Sequence, residues 1–501
     1  MRLLCKRFKV VILLLAGTLV LLSCQKDMEP SEVAQYSIFI SSSEGGRVSS
    51  EGGLLEEGST LTIEAIPDRG YVFTGWEGYS STESILELTV SQALNLKANF
   101  ALNSIEWSET VPYLVEELVD DSGYILAIEN GLKTCYLIDH KGQKVKTWEF
   151  ELSLGQDVEL ASDGSLYGLF KVPNEYFGYG GQSGLIRRIN PEGEVTWEYE
   201  ISSQDEITHH DLEVMPNGNL LVLVWYRVPA DGVEAIGYLS ENDLVVEKVI
   251  EINPDSNEIV WEWNSWDHIV QNVSEGHPTY GDPKTQKNKI DIFYNYESEY
   301  HEFIGQGDVM HANGLTYQQE LDIVALSVNF YNEVWFIDHS TTTTEAKSNQ
   351  GGQYNRGGDL LYRFGNPAVL GDEAPKTFDF NHHPSFVSTS SALNLLIFNN
   401  NNQEGRSKAM EFKLPELGES TSIGSTPPLV FEYGNEDMFF PRVGGAVRLP
   451  NGNTLICEGD YGFWEVNSQG QLLWKYNGQG TSFWRGLFYS KQSEAIKSLG
   501  L

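Results

Sequence analysis

Between residues 105 and 490 one pattern returns: a hydrophobic strand runs into an Asx-rich turn, and a second strand with a tryptophan or another large apolar side chain follows. The clear copies are Ile138-Asp-His-Lys-Gly142 with Trp148, Ile189-Asn-Pro-Glu-Gly193 with Trp197, Ile252-Asn-Pro-Asp255 with Trp261, Ile337-Asp-His339 with Leu360-Leu-Tyr-Arg363, and Val466-Asn-Ser-Gln-Gly470 with Trp474. A degenerate copy, Phe412-Lys-Leu-Pro415 with Leu429-Val-Phe-Glu432, makes six. Before each lies a turn that opens another strand: Asp121-Ser-Gly123, Ser162-Asp-Gly164, Pro216-Asn-Gly218, Gln318-Gln-Glu320, a looser turn near Ser390, and Pro450-Asn-Gly452. A strand pair cannot bury both faces alone, so such units pack neighbour on neighbour and close radially. The repeat predicts an all-β chain whose residues 105–490 form a six-bladed β-propeller, with the extra residues at 264–306 and 340–359 as loops over one face.

Ahead of the repeat, residues 35–101 read as a separate small β module, with alternating runs Tyr36-Ser-Ile-Phe-Ile40, Leu61-Thr-Ile-Glu-Ala65 and Leu86-Glu-Leu-Thr-Val90 between Gly-rich turns. Its run GSTLTIEAIPDRGYVFTGWEG (58–78), closing at Leu96-Lys-Ala-Asn-Phe100, resembles the internalin B-repeat-like domain of bacterial surface proteins through Gly70, Tyr71, Phe73, Gly75, Trp76 and Gly78. These aromatics read as the core of a small sheet, and the module as a spacer. Residues 1–23 begin with Arg2, Lys6, Arg7 and Lys9, continue through an apolar stretch at 10–22, and end in Leu21-Leu22-Ser23-Cys24. That pattern resembles a bacterial lipoprotein leader. The resemblance implies lipidation of Cys24, a tether at 24–34, and anchorage to the outer membrane on its periplasmic or cell-surface side.

Acidic side chains outnumber basic ones 71 to 33, a formal charge of −38, so the surface would repel phosphate backbones and nucleic acid is excluded as a partner. Cys135 and Cys457, each flanked by apolar residues, read as buried thiols, although an exported chain allows them to pair. Neither a Gly-x-Ser-x-Gly elbow nor a GxxxxGK[ST] phosphate loop is present, which argues against serine hydrolysis and nucleotide-dependent chemistry.

The propeller reading locates chemistry at the starts of the inner strands. His210 lies seven residues before Asn217 of its turn, His311 seven before Gln318, and His383 precedes a slightly longer strand; Gln156 and Gly444 hold the same offset in two other units. Three imidazoles at matching places can ligate a metal, act as acid and base, or serve as a nucleophile. Spacing alone does not choose. A binding propeller for a glycan or peptide, with Trp225, Tyr226 and Trp266 as stacking platforms, and a three-histidine metal hydrolase both stay open.

The segments HHDLEVMPNGNLLVLV (209–224), GDVMHANGLTY (307–317), FNHHPSFV (380–387) and GGAVRLPNGNTLICEG (444–459) resemble, in that order, the bacterial aryl-sulfate sulfotransferases. The resemblance implies transfer of a sulfuryl group between phenols through a sulfohistidine, with neither a nucleotide donor nor a cofactor or metal. It makes His210, His311 and His383 the catalytic histidines, with His383 as nucleophile. His209, Asn313, Asn329, Arg363, His382 and Arg485 become candidates for holding substrate. Asn329 stands where that family carries an arginine, and Arg363, Arg442 or Arg485 is left to supply the missing cation. The partners so implied are aryl sulfates, phenols and a membrane reached through the lipid anchor, with homodimerisation open.

Overall fold

The computed structural model describes residues 34–501 except 44–45, 51, 68–70, 82, 103–114, 238–242, 296–306 and 419–420. The leader and Cys24 lie outside the described residues. The chain divides into two compact units, Met1–Asn103 and Ser104–Leu501.

In the smaller unit one sheet is ordered Gly52–Glu56, Gln35–Ser42, Leu94–Leu102, Tyr71–Glu77, and a second Gly46–Val48, Thr60–Pro67, Ile85–Thr89. Alternate residues point inward, so Ile38, Ile40, Ile63, Ala65, Leu86, Leu88, Leu96 and Ala98 form a core that Trp76 joins. The Trp76 indole donates to the Glu83 carbonyl at 3.0 Å, which completes its role as a core residue.

The larger unit is all β. One antiparallel sheet runs Lys144–Glu149, Thr134–Ile138, Gly123–Glu129 and then Phe483–Ser490, so the last strand of the chain pairs with the first of this unit. An eight-stranded sheet contains two antiparallel runs, Leu154–Leu160 through Val195–Glu200 and Glu206–Val214 through Glu258–Asn264, joined by the single parallel pair Gln156–His210. Three further four-stranded sheets begin with Ala312–Gln318, Asn381–Ser388 and Gly444–Arg448. Middle strands such as Ile323–Val328 are buried along their whole length, whereas the far strand Val195–Glu200 is largely exposed.

The strands Leu154–Leu160, Glu206–Val214, Ala312–Gln318, Asn381–Ser388, Gly444–Arg448 and Phe483–Ser490, hereafter the inner strands, are tied to one another by side chains. Leu160 N donates to Tyr489 Oη (2.9 Å), Val214 N to Glu159 Oε2 (2.8 Å), Leu315 N to Asp211 Oδ2 (2.6 Å), Tyr317 N to Glu213 Oε2 (2.8 Å), and Asn313 Nδ2 to the Asn381 carbonyl (2.9 Å).

The repeated motifs have structural uses of their own. In the turns at Asp163-Gly164, Asn217-Gly218 and Asn451-Gly452 the Asx Oδ1 accepts from the backbone N–H two residues on, at 2.9 Å each, and glycine takes the left-handed conformation that other residues resist. The tryptophans tie one antiparallel run to the next, within the eight-stranded sheet for Trp197 and between sheets for Trp261 and Trp474. Trp197, Trp261 and Trp474 donate from Nε1 to Asn257 Oδ1 (2.6 Å), Thr341 Oγ1 (3.0 Å) and the His140 carbonyl (2.9 Å). Two matching latches add to this: His140 meets Glu465 at 2.8 Å and His339 meets Glu251 at 3.2 Å, and each glutamate also accepts from the PNGN asparagine, Asn453 or Asn219. The long segments at 264–306 and 340–359 are bound to each other, with His268 Nδ1 2.8 Å from Asp359 Oδ1 and Nε2 2.7 Å from the Ala346 carbonyl. Cys135 and Cys457 are free buried thiols.

Candidate active site at the inner strands

Most inner strands shift register near their start, between Leu154 and Val158, Thr208 and Leu212, Ala312 and Gly314, His382 and Ser385, and Phe483 and Arg485. Such a bulge re-aims a side chain that a regular strand would send to the wrong face. At or beside three of these bulges His210, His311 and His383 take the same left-handed conformation, φ +51°, +52° and +51°, and Gln156 (+119°) and Gly444 (+138°) hold the matching offset elsewhere. Left-handed backbone costs a non-glycine residue about 1–2 kcal/mol. Strain repeated at one position of three inner strands is concentrated where side-chain direction matters more than stability.

The His210 and His311 rings meet edge to face with centroids 4.9 Å apart. His311 Nδ1 lies 2.5 Å from Asp308 Oδ2, and its backbone N–H donates to Asp308 Oδ1. Burial would lower its proton affinity, but the charge and hydrogen bond of Asp308, with Glu247 behind, outweigh burial and hold His311 above the ordinary imidazole range. His210 goes the other way: burial and the neighbouring His311 keep it well below that range. Its Nδ1 is 2.9 Å from His209 Nδ1. Gly181 covers the other edge, where any Cβ would stand 2.1 Å from His210 Nε2, so only glycine leaves that nitrogen free to act.

His383 is buried, and after burial the Arg485 charge does most to hold it low. Its Nδ1 finds no hydrogen-bond partner among the described residues and faces Gly445, whose missing Cβ makes room for the ring. His382 is fixed by Asn400 Oδ1 at 2.7 Å, and burial pushes it down to about 3.

Of the three arginines, Arg485 joins this group. Its Nη1 donates to Asp211 Oδ1 (2.6 Å) and its Nη2 to the Asn313 carbonyl (3.1 Å), while the buried Nε–H has no partner among the described residues. A Cβ on Gly314 would lie 3.2 Å from Arg485 Nη2 and 3.1 Å from His383 N, which brings guanidinium and histidine to one place. Arg363 does not reach it. That side chain is fully buried against Glu333, with Nη1 on the Lys289 carbonyl at 2.9 Å, and Arg442 is exposed. Asn329 and Asn313 both donate to the Asn381 carbonyl, at 3.3 and 2.9 Å. His209 is wholly buried with its ring stacked on Trp225, 4.1 Å between centroids, which puts both side chains behind His210 and denies Trp225 a role as an open platform.

Further along the inner strands, buried Asp157 and Asp211 pair with Arg485 and half-buried Glu159 and Glu213 continue the row of carboxyl groups, and desolvation lifts Asp157 and Glu213 well above the ordinary range and Glu159 to about 7. A cavity of about 1020 Å³ opens at that end of the strands, lined by Glu159, Glu213, Phe386, Arg448 and Tyr489, away from the histidine end. Asp308, Asp211, Gly181 and Glu247 escaped the sequence reading. A carboxylate three residues before His311 was the signal that could have found Asp308; Glu247 shares its strand Leu244–Asn253 with Lys248 and Glu251, and nothing in the sequence singles it out. Among the described residues no group of His, Cys, Asp and Glu is arranged to hold a metal ion.

The sequence matches the family model described as Arylsulfotransferase (ASST) over residues 110–472 and the divergent InlB B-repeat domain over 36–104. No curated protein matches. Similar solved structures include a protein of unknown function from Bacteroides caccae (11% identity, covering 73% of this chain and 98% of that one, TM-score 0.42). Another is a putative 6-phosphogluconolactonase from Bacteroides fragilis (11% identity, 74% and 99% covered, TM-score 0.38).

Proposed function

Because the chain belongs to the arylsulfotransferase family, we propose that it carries a sulfuryl group from an aryl sulfate to a phenol in two steps, through a sulfohistidine at His383 and with no nucleotide donor. In the first step a nitrogen lone pair of His383 attacks sulfur, an N–S bond forms and the S–O bond to the aryl group breaks. The leaving phenoxide takes a proton from His210. In the second, the acceptor phenol gives its proton back to His210 while its oxygen attacks sulfur and the N–S bond breaks. Both steps are in-line displacements on one sulfur, so the enzyme ends as it began.

Each role follows from environment. His383 stays neutral, and with Nδ1 packed against Gly445 the attacking lone pair is that of Nε2. His210 is likewise neutral and tied down only at Nδ1. His311, held cationic by Asp308, and Arg485 face the sulfuryl oxygens, where charge-assisted donors are worth about 3–4 kcal/mol in comparable oxyanion sites. Arg485 thus supplies from the last strand the cation that Asn329 cannot. The opposed shifts separate the two rings by role, a neutral His210 to move the proton and a charged His311 to hold the sulfuryl oxygens.

The observation that carries the reading is the shared left-handed backbone of His210, His311 and His383 at matching places on three inner strands. We read the sheets as six blades closing radially, supported by the side-chain ties between inner strands and by the pairing of Phe483–Ser490 with Gly123–Glu129. The arrangement of leader, tether at 24–34, module at 35–101 and propeller at 105–490, anchored at the outer membrane through Cys24, belongs to the same proposal. The test is turnover of 4-nitrophenyl sulfate with a phenol acceptor by the mature protein. Nitrophenol release that needs the acceptor, a sulfuryl adduct on His383 in peptide mass spectra, and loss of both in His383→Ala are expected. No turnover across a panel of aryl sulfates overturns the reading.

A further inference from the structure

A chain of polar atoms leads from His210 away from the site. His210 Nδ1 lies 2.9 Å from His209 Nδ1, and His209 Nε2 lies 3.1 Å from Glu247 Oε2. His209 and Glu247 are both completely buried, and stacking on Trp225 fixes the plane of the His209 ring. The other Glu247 oxygen, Oε1, accepts from Ala312 N at 2.7 Å, which seats the carboxyl group against the residue that follows His311. The contact between His209 and Glu247 is short in distance but off the line of a formed hydrogen bond, as catalytic contacts in ligand-free enzymes often are.

Resting on the sulfuryl-transfer reading, we propose that Glu247, His209 and His210 form a proton wire, and that the Glu247 carboxyl group stores the proton which the reaction borrows between its two steps. Overall transfer from aryl sulfate to phenol consumes no proton, yet the first product leaves before the acceptor arrives. The sulfo-enzyme must therefore be one proton short, and some group has to bear that deficit. Glu247 fits. Buried and faced by the Asp308 carboxylate, it is held well above the ordinary carboxylate range, against the pull of the Ala312 N–H and the His311 cation, so at rest it carries its proton.

The transfer balances atom by atom. As the S–O bond breaks, the phenoxide oxygen takes the proton on His210 Nε2, His210 Nδ1 takes that on His209 Nδ1, and His209 Nε2 takes that on Glu247 Oε2. Both imidazoles begin and end neutral, consistent with burial holding each of them low. The negative charge passes from the phenoxide to Glu247. Arrival of the acceptor phenol runs every shift backwards. Glu247 and His209 touch no substrate in this scheme; they are positioning groups that act through His210.

Infrared difference spectra of the wild-type protein mixed with phenyl sulfate and no acceptor test the store directly. A protonated-carboxyl C=O band should vanish as the sulfo-enzyme forms and return when phenol is added. Glu247→Gln keeps the shape of the site but has no proton to lend, so the band should be missing from it. The variant should slow the first step with phenyl sulfate by about a hundredfold, and by only a few-fold with 4-nitrophenyl sulfate, whose leaving group needs no proton. Equal slowing of the two sulfates, or a wild-type reaction during which no carboxyl band moves, overturns the wire while leaving sulfuryl transfer standing. A wild-type protein that turns over neither sulfate fails the underlying reading and takes the wire with it. The wild-type spectra do not depend on whether the variant folds.

Discussion

Replacing Arg485 by glutamine separates what the guanidinium does for the fold from what it does for the reaction. The substitution removes a 2.6 Å charge-assisted donor from Asp211 Oδ1 and the 3.1 Å donor to the Asn313 carbonyl, while Asp211 Oδ2 keeps the Leu315 N–H. Breaking a buried pair by removing one partner costs about 3–5 kcal/mol when the other stays charged. Whether it stays charged depends on pH. Glu159 already shows the pattern: burial lifts it from an ordinary 4.5 to about 7, so the folded chain holds a proton that the unfolded chain has lost, and its contribution to stability falls by roughly 3 kcal/mol as pH rises from 4.5 to 7. Asp157 is already raised by burial, and without the guanidinium it loses the charge that opposes that rise. The shift in denaturant midpoint should therefore be small near pH 5 and approach the full cost near pH 8. Independently, kcat/KM for 4-nitrophenyl sulfate should drop by about 10²–10³, the usual loss for an oxyanion donor. A stability loss equal at both pH values refutes the account of these carboxyl groups, and an unchanged kcat/KM refutes Arg485 as the sulfuryl cation.

Gly181→Ala puts a methyl group against the buried His210 ring and demands φ near +90° of a residue that resists it, so activity should fall by about 10²-fold with a stability loss of about 2–5 kcal/mol; activity at the wild-type level would show that Nε2 is not the working nitrogen. His339 is pushed up to about 9, burial opposing and the Asp322 and Glu251 hydrogen bonds prevailing, so its latch contributes fully below pH 6.5 and loses roughly 3 kcal/mol as pH rises through 9. Thermal midpoints of wild type and His339→Asn should converge over that range, and a constant gap would refute the latch. Cys24→Ala should leave the protein unlipidated and soluble on membrane fractionation; unchanged membrane partition would remove the anchor.

The strands and turns were legible because they are local: period-2 alternation and Asx-Gly pairs depend on neighbours in the chain, and His210 and His311 showed themselves by a seven-residue offset from those turns, with His383 at a similar place before a slightly longer strand. Arg485 could not be picked out from Arg363 and Arg442 in that way. Its partner Asp211 lies 274 residues earlier, and only the meeting of inner strands brings them together. Arg363 looked equally suitable, but the buried Glu333 that claims it sits on an adjacent strand of its own sheet. His209 stands among the candidates for holding substrate, next to His210 in the chain. At a bulge, adjacent residues part company, and His209 turns inward to Glu247 and Trp225. The PNGN motifs announced turns but not the latches, since the glutamates and histidines that complete them come from other strands.

The strand Phe483–Ser490 closes the first sheet of the larger unit and also carries Arg485 into the histidine site. Assembly and competence are thereby made simultaneous. Synthesis delivers this chain from its beginning, so His210, His311 and His383 are all made before Arg485, whose strand pairs back with Gly123–Glu129. A fragment that stops short of this strand would lose the edge partner of Gly123–Glu129 and the counter-charge of Asp211 together.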